Sequence, residues 1–182
     1  MNKHSHVGKP THEITEQDHA QGADDASVTL IEYGDFECPY SREAVQTIRA
    51  LQQQLREQLR FVFRHFPLTG KHPHALAAAE AAEAAAAQGQ FWAMYELLFA
   101  NQWELEQSDL MAYAERLGLD RKAFRQALTE HRFIERIRAD LLSGKQHAVT
   151  GTPTFFINGR LHDGGDDVPG LLAAIRQALP HR

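Results

Sequence analysis

Apolar positions along the chain switch between two periods, and the switches outline its elements. Val28 to Tyr33 (VTLIEY) is β-branched and aromatic, and predicts a strand closed by Gly34 and Asp35. After Cys38-Pro39 the period lengthens. Val45, Ile48, Leu51, Leu55 and Leu59 recur three or four residues apart and mark one face of a helix. Phe61 to Phe66 (FVFRHF) predicts a second strand, stopped by Pro67. Strand, helix, strand in this order is a βαβ unit, which implies parallel strands and a right-handed crossover.

From His72 to about Ala148 the pattern is helical throughout. Ala75 to Gln88 has the strongest helix propensity in the chain, and Gly89 closes it. Phe91 to Gln102 places Phe91, Tyr95, Leu98 and Phe99 on one side, so Phe91 and Trp92 are expected in the core rather than in a groove. Ser108 and Asp120 stand at N-cap positions ahead of the next two patterns. A last helix of the block covers about Phe133 to Gln146. Strand signals then resume with Thr154 to Ile157 (TFFI). This favours an insertion within one domain over an independent helical domain. Asn158-Gly159 is a hairpin turn signal leading into a short strand, Arg160 to His162. Pro169 opens a final helix to Leu179, with Leu171, Leu172, Ile175 and Leu179 on its apolar face. The order is β-α-β, helical insertion at about 72–148, then β-β-α, within a domain over 21–182. Residues 1–20 are polar, rich in histidine and without period, and predict a flexible arm.

Charge and composition narrow the function. Nineteen Lys plus Arg against 24 Asp plus Glu leave a net charge of −5, without the basic footprint of a nucleic-acid binder or of a protein that coats anionic membranes. No stretch is apolar enough to span a bilayer; Glu80 and Glu83 interrupt the longest alanine-rich run. The N-terminus lacks the apolar core of a secretory signal, so the chain as it stands is expected in the cytoplasm, and in the periplasm if a leader has been removed. His4, His6 and His12 read as a solvated tail, and no metal site is expected. A single cysteine excludes an intrachain disulfide and a thiolate-rich zinc site.

That cysteine has an unusual setting. Cys38-Pro39-Tyr40-Ser41 falls at a strand-to-helix junction, where free N–H groups and the positive end of the helix favour a thiolate. Pro39 suits the first helical turn. Glu32, Asp35 and Glu37 act in the opposite sense, and the residues alone leave the balance open. Tyr40 is expected to be exposed between the motif ends. Ser41 either hydrogen-bonds the thiolate or lies on a solvated early-helix face. Thr152-Pro153, ahead of TFFI, is a candidate cis bond whose flanking backbone groups would pair with an extended peptide. The predicted topology brings this loop and the Cys38 junction to one end of the sheet. His65, His72 and His74 are read as hydrogen-bonded structure rather than a base or metal ligands.

VTLIEYGDFECPYS, the HPHA at His72 to Ala75, QGQFWAMYELLF and GTPTFFINGR together resemble the DsbA-like branch of the thioredoxin superfamily, from about Asp18 to the C-terminus. The likeness is to small bacterial domains, some fused to sodium–proton antiporters. It implies an α/β thioredoxin fold with a helical insertion, a nucleophilic Cys38 and a cis Pro153. Catalysis would then involve Cys38 and Ser41, with Pro39, Tyr40, Thr152 and Pro153 binding substrate. One departure matters: the family pattern is Cys-Pro-Tyr-Cys, and Ser41 holds the second cysteine position. Ser41 is either the native residue of a monothiol enzyme or a replacement for a resolving cysteine. A hydroxyl cannot resolve a mixed disulfide, so an external thiol must. The expected activity is thiol–disulfide exchange with protein or glutathione thiols and disulfides. No cofactor is required, and glutathione is an optional cosubstrate. A glutathione-dependent transferase or isomerase, and a non-catalytic binding module, are the alternatives.

Overall fold

The computed structural model describes residues 13–179. Its sheet has five strands in the order β1-β3-β2-β4-β5. β2 (Val28–Gly34) and β3 (Leu59–His65) run parallel, joined by α1 (Pro39–Leu55) and one short 3-10 turn. β4 (Thr154–Ile157) pairs antiparallel to β2, and β5 (Arg160–Leu161) to β4. The βαβ and ββα halves are therefore as the periodicity predicts, with α7 (Val168–Ala178) closing the second.

Between the halves lie α2 (Ala75–Ala86), α3 (Phe91–Ala100), α4 (Gln107–Arg116), α5 (Arg121–Thr129) and α6 (Ile134–Gln146). Asp120 caps α5 as expected, accepting from the backbone N–H groups of Lys122 and Ala123. Ser108 is not the cap of α4. Glu106 takes that place, in a reciprocal capping box with Asp109.

The central strands are buried on both faces, so they read as apolar runs rather than alternating ones. One layer of core joins α1, α2, α3 and α7 to the sheet face carrying Leu30, Phe61, Phe63 and Phe155. Phe91 is buried, and Trp92 packs on Phe61 and Tyr95, so both belong to this core as predicted. A smaller cluster of Ile31, Tyr33, Val62, Phe66 and Phe156 fills the other face.

The predicted arm ends earlier than residue 20. His19–Gln21 forms β1, antiparallel on the free edge of β3. Ahead of it, Asp18 receives a two-pronged bond from Arg64 at 2.7 and 2.8 Å, and both side chains are buried. Polar composition concealed this because the segment is held mainly by charged pairs and hydrogen bonds, Asp18 to Arg64 and His19 to Glu83 among them, rather than by a periodic apolar face. His4, His6 and His12 lie outside the described residues.

Candidate active site

Cys38 is the N-cap of α1, with Pro39 in the first helical turn. The preceding loop is tightly determined. Cys38 N–H donates to the Asp35 carbonyl at 3.1 Å, and Arg42 N–H donates to the Cys38 carbonyl. The thiol is only 3% exposed, and its S–H donates to the Thr152 carbonyl at 3.3 Å. The Thr152–Pro153 peptide bond is cis, as the sequence suggested. The two motifs, 114 residues apart, therefore meet at one point. The Thr152 carbonyl therefore gives one of its two acceptor positions to the thiol.

An open cleft of about 330 Å³ runs beside this point. Tyr40, Ala44 and Thr47 of α1 form one wall, Thr152 and Pro153 a second, and Asp166 ahead of α7 closes it. Tyr40 is 67% exposed, as the sequence reading expected.

Ser41 departs from both expectations. It is fully buried, not on a solvated face, and its hydroxyl accepts from Asp35 N–H at 3.3 Å rather than meeting the thiol. As the third residue of α1 it points back under the loop it follows.

The carboxylates around Cys38 are each committed. Asp35 accepts from the N–H groups of Glu37 and Leu68 and pairs with His72 Nδ1, all at 2.8 Å. Glu37 takes both His74 N–H at 2.7 Å and His74 Nδ1 at 2.9 Å. Those bonds to Glu37 lift His74 above the ordinary imidazole value, and Glu106 adds to the effect. His72 and His74 are thus hydrogen-bonded to carboxylates, consistent with the structural reading, yet the carboxylates they hold flank the thiol. Glu32 differs. It is wholly buried with no hydrogen-bond partner on either oxygen among the described residues. Burial, then the charge of Asp166, pushes its carboxyl well above the usual carboxylate value.

Gln102 is a site residue that sequence reasoning did not single out. Its amide donates to the Phe36 and Cys38 carbonyls at 2.7 and 2.9 Å from the loop after α3. It thereby ties the helical insertion to the cysteine loop. Nothing in its local sequence distinguishes it from a surface glutamine; only the packing of the insertion brings it there.

A cysteine on a helix N-terminus facing a cis-proline loop, in this strand order, is the arrangement that known proteins share. A thioredoxin family model matches residues 14–177. The chain belongs to the thioredoxin family. It shares its fold with DsbA-like members. BdbD from Bacillus subtilis superposes with a TM-score of 0.81 at 23% identity, covering 94% of this chain and 96% of that one. A thioredoxin-like oxidoreductase from Silicibacter pomeroyi gives 0.80 at 24% identity, over 90% and 93%. In sequence the chain is 48% identical, over 90% of its length, to a protein of Salinispora arenicola named Na(+)/H(+) antiporter NhaA 1. A Herminiimonas arsenicoxydans NhaA antiporter is 41% identical over 88%. The chain spans about a quarter of the length of these curated relatives. None of the described helices is long and apolar enough to cross a membrane.

Proposed function

We propose that the chain is a monothiol thiol–disulfide oxidoreductase acting through Cys38. The observation that carries this reading is the placement of the one thiol. It caps the N-terminus of α1 and lies against the Thr152 carbonyl beside cis Pro153, whose loop lines an open cleft.

The S–H bond to Thr152 exists only while the thiol holds its proton. Deprotonation removes that bond as the nucleophile forms, and the carbonyl serves as a backbone acceptor for an extended substrate strand. The thiolate then attacks one sulfur of a substrate disulfide, R–S–S–R′. A Cys38–S–S–R bond forms, the substrate S–S bond breaks, and R′–S⁻ leaves. Ser41 supplies no second thiol. A further thiolate, from glutathione or from the substrate, attacks Cys38 Sγ's partner sulfur and returns Cys38–S⁻. The surrounding thiol couple sets the direction of exchange.

Burial of Ser41 and its bond to Asp35 N–H support a positioning role rather than that of a reagent in the cleft. This counts against the transferase alternative, in which Ser41 would face a cosubstrate. The relatives' antiport activity resides in proteins four times as long and is not assigned to this chain.

The test is to mix the protein with a glutathionylated peptide, follow Cys38 by intact mass, and measure turnover with added glutathione. A Cys38–glutathione adduct that clears with glutathione, and turnover lost in Cys38→Ala, are expected. Retained turnover in Cys38→Ala would overturn the reading, and its loss in Ser41→Ala alone would favour the transferase.

A further inference from the structure

A second constellation sits on the other side of β3 from the thiol loop. The antiparallel register places His19 of β1 opposite Phe63 of β3. His65 lies two residues beyond Phe63, so by strand alternation both histidines project from the same sheet face. α2 crosses that face and directs Glu83 inward. Nε2 of His19 and Nε2 of His65 lie 2.7 and 2.8 Å from the same oxygen, Oε1 of Glu83. All three ligand atoms lie within 4.8 Å of one another.

An ion-pair clamp accounts for only part of this arrangement. His65 is 1% exposed, and its Nδ1 has no hydrogen-bond partner among the described residues. One ring nitrogen, Nε2, is thus aimed at Glu83 while the other is left without a partner among those residues. Two imidazole nitrogens and one carboxylate oxygen, converging in a buried place, form a recurrent donor set for zinc and its neighbours, and a poor one for calcium or magnesium.

We propose that His19, His65 and Glu83 bind a divalent ion of the zinc type, with a fourth position open to solvent beside His19. At ordinary Zn–N and Zn–O lengths a tetrahedral ion holds its ligand atoms about 3.4 Å apart, so each histidine would withdraw from Glu83 by about 0.6 Å, and the two imidazole nitrogens, within 4.8 Å of each other, would settle to that same spacing. Binding forms a metal–Nε2 bond, and the displaced proton moves to Nδ1 of the same ring. His19 supplies the way in. It is half-buried, and its ring stacks on Phe91 at 3.4 Å, which shields the other side from water. The ion would fasten β1 to β3 and α2. It would lie beneath Phe36, whose ring is 5.9 Å from that of His65 and which precedes Cys38 by two residues.

The experiment uses the full chain with competing donors removed: His4, His6 and His12 changed to Gln, and Cys38→Ala. Zinc affinity is measured by competition with a chromogenic chelator, and coordination by the visible absorption of bound Co²⁺. One equivalent is expected, with the intense spectrum of a four-coordinate site, unaffected by excess calcium. Losing a neighbour of a metal ligand typically costs 10–100-fold in affinity, so removing a ligand in Glu83→Gln or His19→Gln should cost more than about 100-fold. Zinc should also raise the melting temperature of the parent but not of either variant. Absence of a bound equivalent in the stripped parent, or unchanged affinity in His19→Gln, overturns the proposal. His19 is the most exposed of the three, its side chain 15% accessible against 7% for Glu83 and 1% for His65, so its variant decides the matter even if Glu83→Gln fails to fold. None of these readouts depends on thiol chemistry.

Discussion

Glu32 offers the sharpest test of the electrostatics under the thiol loop. It sits in the middle of β2, opposite Phe63 of β3 and Phe155 of β4. Its carboxyl leans so closely over Gly34 that a Cβ placed there would come within 2.9 Å of Oε1. Burial first, and Asp166 second, raises its pKa well above 4.5, so the folded protein keeps a proton that the unfolded chain releases. Between the unfolded value and the raised folded one the native state binds more protons, and stability falls as pH rises. The slope from this group alone is about 1.4 kcal/mol per pH unit. Even when neutral, a buried carboxyl without partners costs about 1–3 kcal/mol. Glu32→Met removes both penalties at similar side-chain volume. The variant should therefore be more stable than the parent by about 1–3 kcal/mol at pH 5. The advantage should widen by up to about 1.4 kcal/mol for each further pH unit. Glu32→Gln separates the two terms, since it keeps a polar group but cannot ionise; it should show the widening without the full offset. Urea denaturation at pH 5, 6, 7 and 8 measures the differences, and groups common to both proteins cancel. A gap that does not change with pH, or a Glu32→Met protein less stable than the parent at pH 7, would refute the reasoning.

Three further outcomes follow from the same geometry. Gln102→Ala removes two buried hydrogen bonds, about 2 kcal/mol in all. Thermal melting should register it as a fall of about 4–8 °C, and iodoacetamide should reach Cys38 faster once its loop is untied. Arg64→Met leaves Asp18 buried without its partner and should cost about 3–5 kcal/mol, much of it recovered in the Arg64→Met, Asp18→Leu double variant, as read by urea denaturation. Despite burial, Arg64 holds Asp18 below 3.8. The parent should therefore lose this pair's contribution as pH falls through that range, while the double variant should not. His74 should titrate above 6.5 by NMR and move back towards that value in Glu37→Gln.

The fold was legible wherever one residue type or one period dominated. The βαβ unit, the Asn158-Gly159 hairpin and the alanine-rich α2 are examples, whereas position alone left Pro153 cis or trans and the family resemblance is what implied the cis bond. Other features were illegible for identifiable reasons. β1 has three residues and no apolar alternation, so His19 read as part of an arm, and its convergence with His65 and Glu83 was invisible. Ser41 was judged from its place in a motif, whereas its burial depends on how the loop at Asp35 folds back over α1. Gln102 and Glu106 act on the site from the insertion, through packing that no local pattern encodes. His72 and His74 were correctly read as hydrogen-bonded, but not which carboxylates they hold.

Those carboxylates bear on a balance that the residues alone left open. A helix N-terminus favours a thiolate at Cys38, and three acidic residues within six positions oppose it. In the structure each of these carboxyls is engaged by, or buried among, groups other than the thiol. Asp35 receives two backbone N–H groups and His72, Glu37 is gripped twice by His74, and Glu32 retains its proton. What remains aimed at the thiol is the start of α1, together with the Thr152 carbonyl that binds the S–H. The acidic residues thus serve as acceptors that hold the loop in shape. Substituting them should therefore disturb the geometry of Cys38 before it relieves any repulsion. Glu37→Gln keeps an acceptor for His74 N–H and should leave alkylation of Cys38 close to the parent rate, whereas Glu37→Ala frees the loop and should change it. If Glu37→Gln instead accelerated alkylation as strongly as Glu37→Ala, unanswered charge, not shape, would be what Glu37 contributes to the site.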